Sequence, residues 1–152
     1  YFSRDVGPIH LIVLDTGEDK ADDTNVYSRL NKVGPYREQE FAWLKTHLAT
    51  DARVSSAPFR VILLHQPRWG WTDDQGAAWS EVANAGKIDL AIGGHHHRFS
   101  IARPGERGNA FPVVALGQDQ VARVTATATE LTVTVLDKDA KVVDTLVIPA
   151  RR

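Results

Sequence analysis

Cysteine and methionine are both absent from the 152 residues of this sequence. Without cysteine the chain can form neither a disulfide framework nor a thiolate metal site. Long apolar runs are lacking too: a run such as 61–64 is far shorter than the roughly 20 residues that a membrane-spanning helix needs. Because the first residue is a tyrosine and no methionine occurs, we expect the sequence to be a piece of a longer chain.

The sequence also lacks an excess of charge of either sign. Eighteen Lys and Arg side chains oppose 19 Asp and Glu side chains, which leaves a formal net charge of -1. This balance argues against a nucleic-acid partner and against a polybasic membrane segment. The length and the 43% share of apolar residues predict one globular unit, so we interpret residues 1–152 as a single partial domain.

Short apolar runs alternate with helix-forming segments in the first hundred residues. Strands are predicted at residues 9–14, 59–64 and 88–92, and helices from Pro35 and over residues 75–85. A strand-helix-strand-helix-strand order is typical of an α/β layer with mainly parallel strands.

The pattern changes after residue 111, where apolar residues begin to alternate with Thr or Asp. This alternation predicts an antiparallel β meander with one solvated face. One more strand is predicted at residues 113–116, and the strands of the meander are predicted at residues 124–128, 131–136 and 142–148.

Four of the six histidines follow predicted strand ends: His65 follows the second strand, and His95, His96 and His97 follow two glycines after the third. In an extended segment, side chains two residues apart leave the same face, so His95 and His97 can converge while His96 points elsewhere. Ligands bind outside the carboxyl ends of strands in open α/β sheets, so His65 can meet His95 and His97 at one rim. Imidazole suits zinc, iron, copper or manganese better than calcium or magnesium.

The other two histidines, His10 and His47, lie in a strand and late in a helix, and we interpret both as ordinary structural residues. Taken alone, His65 is also more typical of a satisfied strand-end histidine than of a ligand. The run of three histidines lies inside the chain rather than at a terminus, which argues against an affinity tag.

Four segments, in the same order, resemble motifs of calcineurin-like metallophosphoesterases of the purple-acid-phosphatase type. Residues 1–15 (YFSRDVGPIHLIVLD) resemble the stretch YYSFD…HFIVLDS, and Gln39, Trp43 and Leu44 resemble the segment Q..WL. Residues 61–67 (VILLHQP) resemble the motif (V/I)xxHxP, and residues 89–99 (DLAIGGHHHRF) resemble VDLVxSGHxHxYxR, which contains the GHxH motif. The closing strands resemble those of the family more weakly.

The resemblance implies the C-terminal half of a metallophosphoesterase αββα sandwich, of the α/β (α+β) class. It implies a hydrolase that acts on a phosphate-ester substrate, as a phosphatase or phosphodiesterase, with two divalent or trivalent metal ions such as Fe, Zn or Mn. His65 and His95 would bind one ion and His97 the other. His96, at a variable position of the family, is the local candidate for protonating the leaving oxygen.

Two further expectations follow from this resemblance. Trp69 and Trp71, just after His65, form a wall of the substrate cleft or, equally, cover the edge of the core. A periplasmic or secreted location is favoured, because many members of the family are exported.

The carboxylate half of the implied site is missing from this sequence. The family also needs DxH, GDxxD and GNH(D/E) motifs upstream of the segment that matches Tyr1, and none of them occurs here. Asp15 does not begin a DxH motif, and Asp22 lacks the preceding glycine. Without a bridging carboxylate the chain would hold at most one metal ion weakly, so we predict that it is inactive alone. The missing N-terminal half, or a homo-oligomer, is expected to cover an exposed sheet.

Two other interpretations stay open at this stage. The chain could be a self-contained mononuclear metal hydrolase whose histidines are joined by the carboxylate of Asp15 or Asp119. It could also be a non-catalytic, β-rich interaction module in which the histidines are incidental.

Overall fold

The computed structural model describes the backbone of residues 1–17, 22–28, 30, 32–66 and 74–151, and their side chains except those of residues 74, 75 and 107. The described helices are α1 (Val33–Thr50), α2 (Ala52–Ser56) and α3 (Asp74–Ala85). The described strands are β1 (Phe2–Val6), β2 (Ile9–Leu14), β3 (Phe59–Leu64), β4 (Leu90–Gly93), β5 (Ser100–Ala102), β6 (Val113–Ala115), β7 (Val121–Ala126), β8 (Glu130–Leu136) and β9 (Val142–Pro149).

The strands form two sheets. The main sheet has six strands in the order β1-β2-β3-β4-β6-β5, and its four central strands run parallel. The edge strands β1 and β5 are antiparallel to their neighbours. The small sheet is the predicted antiparallel meander β7-β8-β9. The mixed α/β architecture therefore confirms the predicted fold class.

The helices and the small sheet cover opposite faces of the main sheet. Ile12, Ile62 and Ala91 pack toward α1 and α3 in one apolar cluster. Phe59, Leu90 and Val114 belong to the other cluster, which includes the inward-facing residues of β8. Strand β3 is buried on both faces, as expected of a central parallel strand with a continuous apolar sequence.

The small sheet leaves the inner face of β2 partly open. Ile9, Leu11 and Val13 point away from the helices and are only half-buried, whereas His10, Ile12 and Leu14 on the other face are buried. The described residues include no helix that is both long and apolar enough to cross a membrane.

Asp22, which we excluded from a GDxxD motif, has a structural role at the start of α1. Its Oδ1 accepts a hydrogen bond from the Val33 N–H at 2.8 Å, and its Oδ2 accepts one from the Gly34 N–H at 2.9 Å. Carboxylates stabilise the unsatisfied N–H groups at helix N-termini. These two hydrogen bonds hold the pKa of Asp22 below its ordinary value.

Replacing Asp22 with alanine is expected to lower the thermal midpoint by about 2–4 °C, because two N–H groups of α1 lose their acceptor. Circular dichroism melts at pH 7 measure this change. Asp23→Ala removes an exposed neighbouring carboxylate and should leave the midpoint unchanged. Equal effects of the two substitutions would mean that charge, rather than capping, is responsible.

Candidate functional site

The site begins where two neighbouring parallel strands end. β3 ends at Leu64 and β4 ends at Gly93, so His65 and the His95 segment emerge at the same edge of the main sheet. The Gly94 N–H donates to the backbone carbonyl of His65 at 3.0 Å, which joins the two strand ends directly. This is the edge at which the strand pattern predicted that the imidazoles would meet.

The His95 segment is turned rather than extended. His95 has φ of 71°, and the His96 N–H donates to the Gly94 carbonyl at 2.8 Å, so a tight three-residue turn is centred on His95. His97 is also left-handed, with φ of 54°. Backbone of this kind is unfavourable for residues other than glycine and is concentrated at functional sites. The segment therefore lacks the extended geometry that the expected convergence of His95 and His97 assumed.

The turn nevertheless brings two of the four strand-end imidazoles face to edge. The ring centroids of His65 and His95 lie 5.4 Å apart with an interplanar angle of 89°. His97 lines the same groove as these two, whereas the lining does not include His96. His96 is exposed, and its ring centroid lies 5.3 Å from that of His95.

The groove beneath the imidazoles is largely apolar. It has a volume of about 510 Å³ and contains Val13, Leu63, Ile92 and Leu116 along its walls. Leu63, Ile92 and Leu116 belong to the apolar cluster on the small-sheet side of the main sheet. The imidazoles therefore lie at the mouth of an apolar groove that the described residues leave open.

The described residues do not form the implied two-metal centre. Imidazole nitrogens are suitable ligands for borderline transition metals, but a dinuclear centre also needs carboxylates. Among the described residues no group of three or more His, Cys, Asp or Glu side chains is placed so that it could hold a metal ion. Neither Asp15 nor Asp119 therefore completes a mononuclear site within the described part of the chain.

Polar contacts from α1 brace the sheet edge next to His65. Arg37 donates from Nε to the backbone carbonyl of Thr16 at 2.6 Å, and Thr16 donates from its hydroxyl to the carbonyl of Gln66 at 3.1 Å. Glu40, fully buried, accepts a hydrogen bond from the Asp15 N–H at 2.6 Å. Burial raises the pKa of Glu40, since the charged carboxylate is poorly solvated there.

These bracing residues were not predicted from the sequence. Thr16 lies two residues after the end of β2, which is the one local signal that could have identified it. Trp69 and Trp71, proposed as a wall of the cleft, lie outside the described residues. His10 and His47 belong to neither the groove nor the strand-end loops.

Comparison with solved structures shows where this fold occurs. A purple acid phosphatase from yellow lupin (Lupinus luteus) seeds is 16% identical, with a TM-score of 0.66; the match covers 97% of this chain and 32% of that chain. GAP50, the anchor in the inner membrane complex of Plasmodium, is 14% identical, with a TM-score of 0.65; the match covers 99% of this chain and 53% of that one. No protein-family model and no curated protein sequence matches.

The chain thus spans about a third of the phosphatase and about half of the anchor protein. The resemblance predicted from the sequence motifs is confirmed at the level of the fold: the chain has part of a purple-acid-phosphatase-like metallophosphoesterase fold.

Proposed function

We propose that this chain is the histidine-bearing part of a metal-dependent phosphoric ester hydrolase. The observation that carries the proposal is the placement of His65 against His95 at adjoining parallel strand ends, with His97 on the same groove. That placement occurs in a fold shared with a purple acid phosphatase. The parent enzyme would hold two metal ions, with His65 and His95 as ligands of one and His97 as a ligand of the other.

In this proposal the carboxylate ligands come from a second part of the protein. Two observations support the existence of such a part: the described residues contain no complete metal site, and they leave the apolar groove under the imidazoles open. A layer that packs on Val13 and Leu63 would bury their apolar surface and bring its own side chains to the imidazoles. A missing N-terminal half satisfies both needs, whereas a second copy of this chain would cover the groove without supplying the lacking motifs.

His96 is the residue to which we assign proton donation. It is exposed beside His95 and lies outside the groove lining, so it can face a substrate that approaches from solvent. A general acid has to reach the leaving oxygen through a hydrogen bond, and an exposed imidazole on a turned loop can do so. Export to the periplasm or the cell exterior belongs to the same proposal.

Expression of the complete reading frame that encodes this sequence tests the proposed function. We expect its product to hydrolyse para-nitrophenyl phosphate at about 1 s⁻¹ or faster when supplied with Fe, Zn or Mn, and to lose this activity with a chelator. The 152-residue chain alone should show no turnover above background. A reading frame without upstream carboxylate motifs, or a complete product that is inactive with all three metals, would overturn the proposal.

A non-catalytic role is the second candidate, and one observation favours it. The fold matches the Plasmodium anchor protein as well as it matches the phosphatase. In that case the complete product would bind a partner protein and would tolerate replacement of both His95 and His97 without loss of that binding. The hydrolysis assay and the binding assay therefore separate the two candidates.

A further inference from the structure

A chain of polar contacts, buried at its centre, joins β1, β2 and α1 on the helical side of the main sheet. His10, fully buried in β2, places Nδ1 2.6 Å from Oδ1 of Asp5 and Nε2 2.9 Å from Nε2 of His47 in α1. His47 in turn places Nδ1 3.3 Å from Oδ2 of Asp51. His10 and His47, here named the histidine pair, are structural residues, as the sequence suggested, and they contact each other.

The distance between the two Nε2 atoms limits how many protons the pair can hold. At 2.9 Å one nitrogen must donate a hydrogen and the other must accept it. If both rings carried a hydrogen on Nε2, two N–H groups would point at each other and the contact would break. The folded pair can therefore take up at most one proton beyond its two neutral rings, whereas the unfolded chain can take up two.

The surroundings do not supply surplus negative charge for a second proton. The pair is faced by the carboxylates of Asp5 from β1 and Asp51 from the end of α1. It is also faced by the guanidinium group of Arg53, which binds Asp51 at 2.6 Å. The guanidinium of Arg60, the register neighbour of His10 on β3, donates instead to the backbone carbonyls of Val54 and Gly86. Two carboxylates and one guanidinium leave one surplus negative charge, which balances a single added proton on the pair and leaves none for a second.

Aromatic packing excludes water from the α1 side of the pair. The Trp43 ring stacks on the His47 ring, with centroids 4.9 Å apart and an interplanar angle of 6°. His47 is nearly fully buried, and burial lowers its pKa, because its charged form cannot be solvated. Burial of His47 and the close contact of the two Nε2 atoms therefore both disfavour a doubly protonated pair.

We propose that the histidine pair is an acid-sensitive clamp, which fastens α1 to β2 at neutral pH and opens when both imidazoles become protonated. Opening would loosen the helix whose Arg37 and Glu40 brace the sheet edge beside His65. Acid would therefore release the brace of the candidate site, although the clamp itself does not depend on the proposed function.

The pH dependence follows from the numbers of bound protons. In an unfolded chain histidine titrates with a pKa of about 6.5, so below that pH the unfolded state gains two protons at these positions. The folded state gains at most one, so the unfolded state binds more protons and stability falls as the pH falls. The ratio of folded to unfolded molecules should decrease at least about tenfold per pH unit below about pH 5.5.

Urea unfolding of the 152-residue chain at several values between pH 7.5 and pH 4.8 measures this dependence. His47→Gln is the informative variant, because a glutamine amide can donate to His10 and can turn to accept from it once His10 is protonated. We expect this variant to lose the tenfold decrease per pH unit. His96→Gln, the same change at an exposed imidazole, should retain it.

Other carboxyl groups have shared or small effects on the comparison. Hydrogen bonds lower the pKa of Asp22 and of Asp51, so these two groups destabilise the fold mainly below the pH range used. Burial raises the pKa of Glu40 and of Asp89, so both groups favour the folded state as the pH falls, and they do so equally in all three proteins. Should His47→Gln fail to fold, ¹⁵N spectra of the unmodified chain decide instead. Two fully protonated rings at pH 5 with an intact native amide spectrum would overturn the proposal, as would an unchanged pH dependence in His47→Gln.

Discussion

Replacing His95 with alanine in the complete reading frame is expected to lower kcat/KM for para-nitrophenyl phosphate by about 100-fold or more. Loss of one preorganised group from an active site typically costs a factor of this size. His95 combines the ring contact with His65 and a left-handed backbone, so its position in the groove depends on its own turn. Steady-state kinetics at saturating metal concentration measure the effect.

Ser100→Ala is the matched control, because it changes an exposed residue at the start of β5, just beyond the histidine turn. It should leave kcat/KM within about twofold, since surface substitutions away from a site have small effects. His96→Ala should act differently from His95→Ala: a lost general acid changes the basic limb of the pH–rate profile. Activity of His95→Ala close to that of the unmodified protein would remove this residue from the proposed site.

Phe59→Ala is expected to lower the free energy of unfolding by about 3–5 kcal/mol, more than the other substitutions proposed for this chain. The Phe59 ring is fully buried at the start of β3 and belongs to the cluster between the main sheet and the small sheet. Truncation would leave a cavity in the layer that holds the two sheets together. Total stabilities of domains are about 5–15 kcal/mol, so the variant should be partly unfolded at 37 °C.

Urea unfolding at pH 7 measures this loss. Phe2→Ala is the matched control, because Phe2 lies in the edge strand β1 and is 55% exposed. It should cost less than about 1 kcal/mol, since little burial is lost. Equal losses for the two phenylalanines would mean that the small sheet does not pack on β3 as described.

The partly open inner face of β2 favours association of the chain with other molecules. Ile9, Leu11 and Val13 are half-buried there, although their strand is central to the main sheet. Apolar surface of this kind favours association with whatever can cover it. The same surface supports the proposal that another part of the protein packs against it.

Local sequence patterns predicted the central strands closely. The runs at residues 9–14 and 59–64 coincide with β2 and β3, because a continuous branched apolar run is stable only when it is buried. The meander followed from its two-residue alternation, and its turn at residues 137–140 is closed by the Ala140 N–H donating to the Asp137 carbonyl.

The edge strands β1 and β5 were not predicted, for a physical reason. β1 is mostly exposed, so its sequence carries no apolar pattern, and its conformation depends on pairing with β2. β5 has only three residues and is held by β6. When a strand is ordered mainly by hydrogen bonds to its neighbour, its own sequence shows little of the apolar alternation that predicts a strand.

For the candidate site, the sequence by itself determined which imidazoles follow the strand ends, since that depends only on where apolar runs stop. The tertiary structure alone decided that His95 occupies a left-handed turn and that His10 meets His47 across 37 residues. It also decided that Arg37 and Thr16 brace the loop after His65. Local periodicity fixes strands and helices, whereas contacts between distant side chains, and the backbone strain that they support, exist only once the layers have packed.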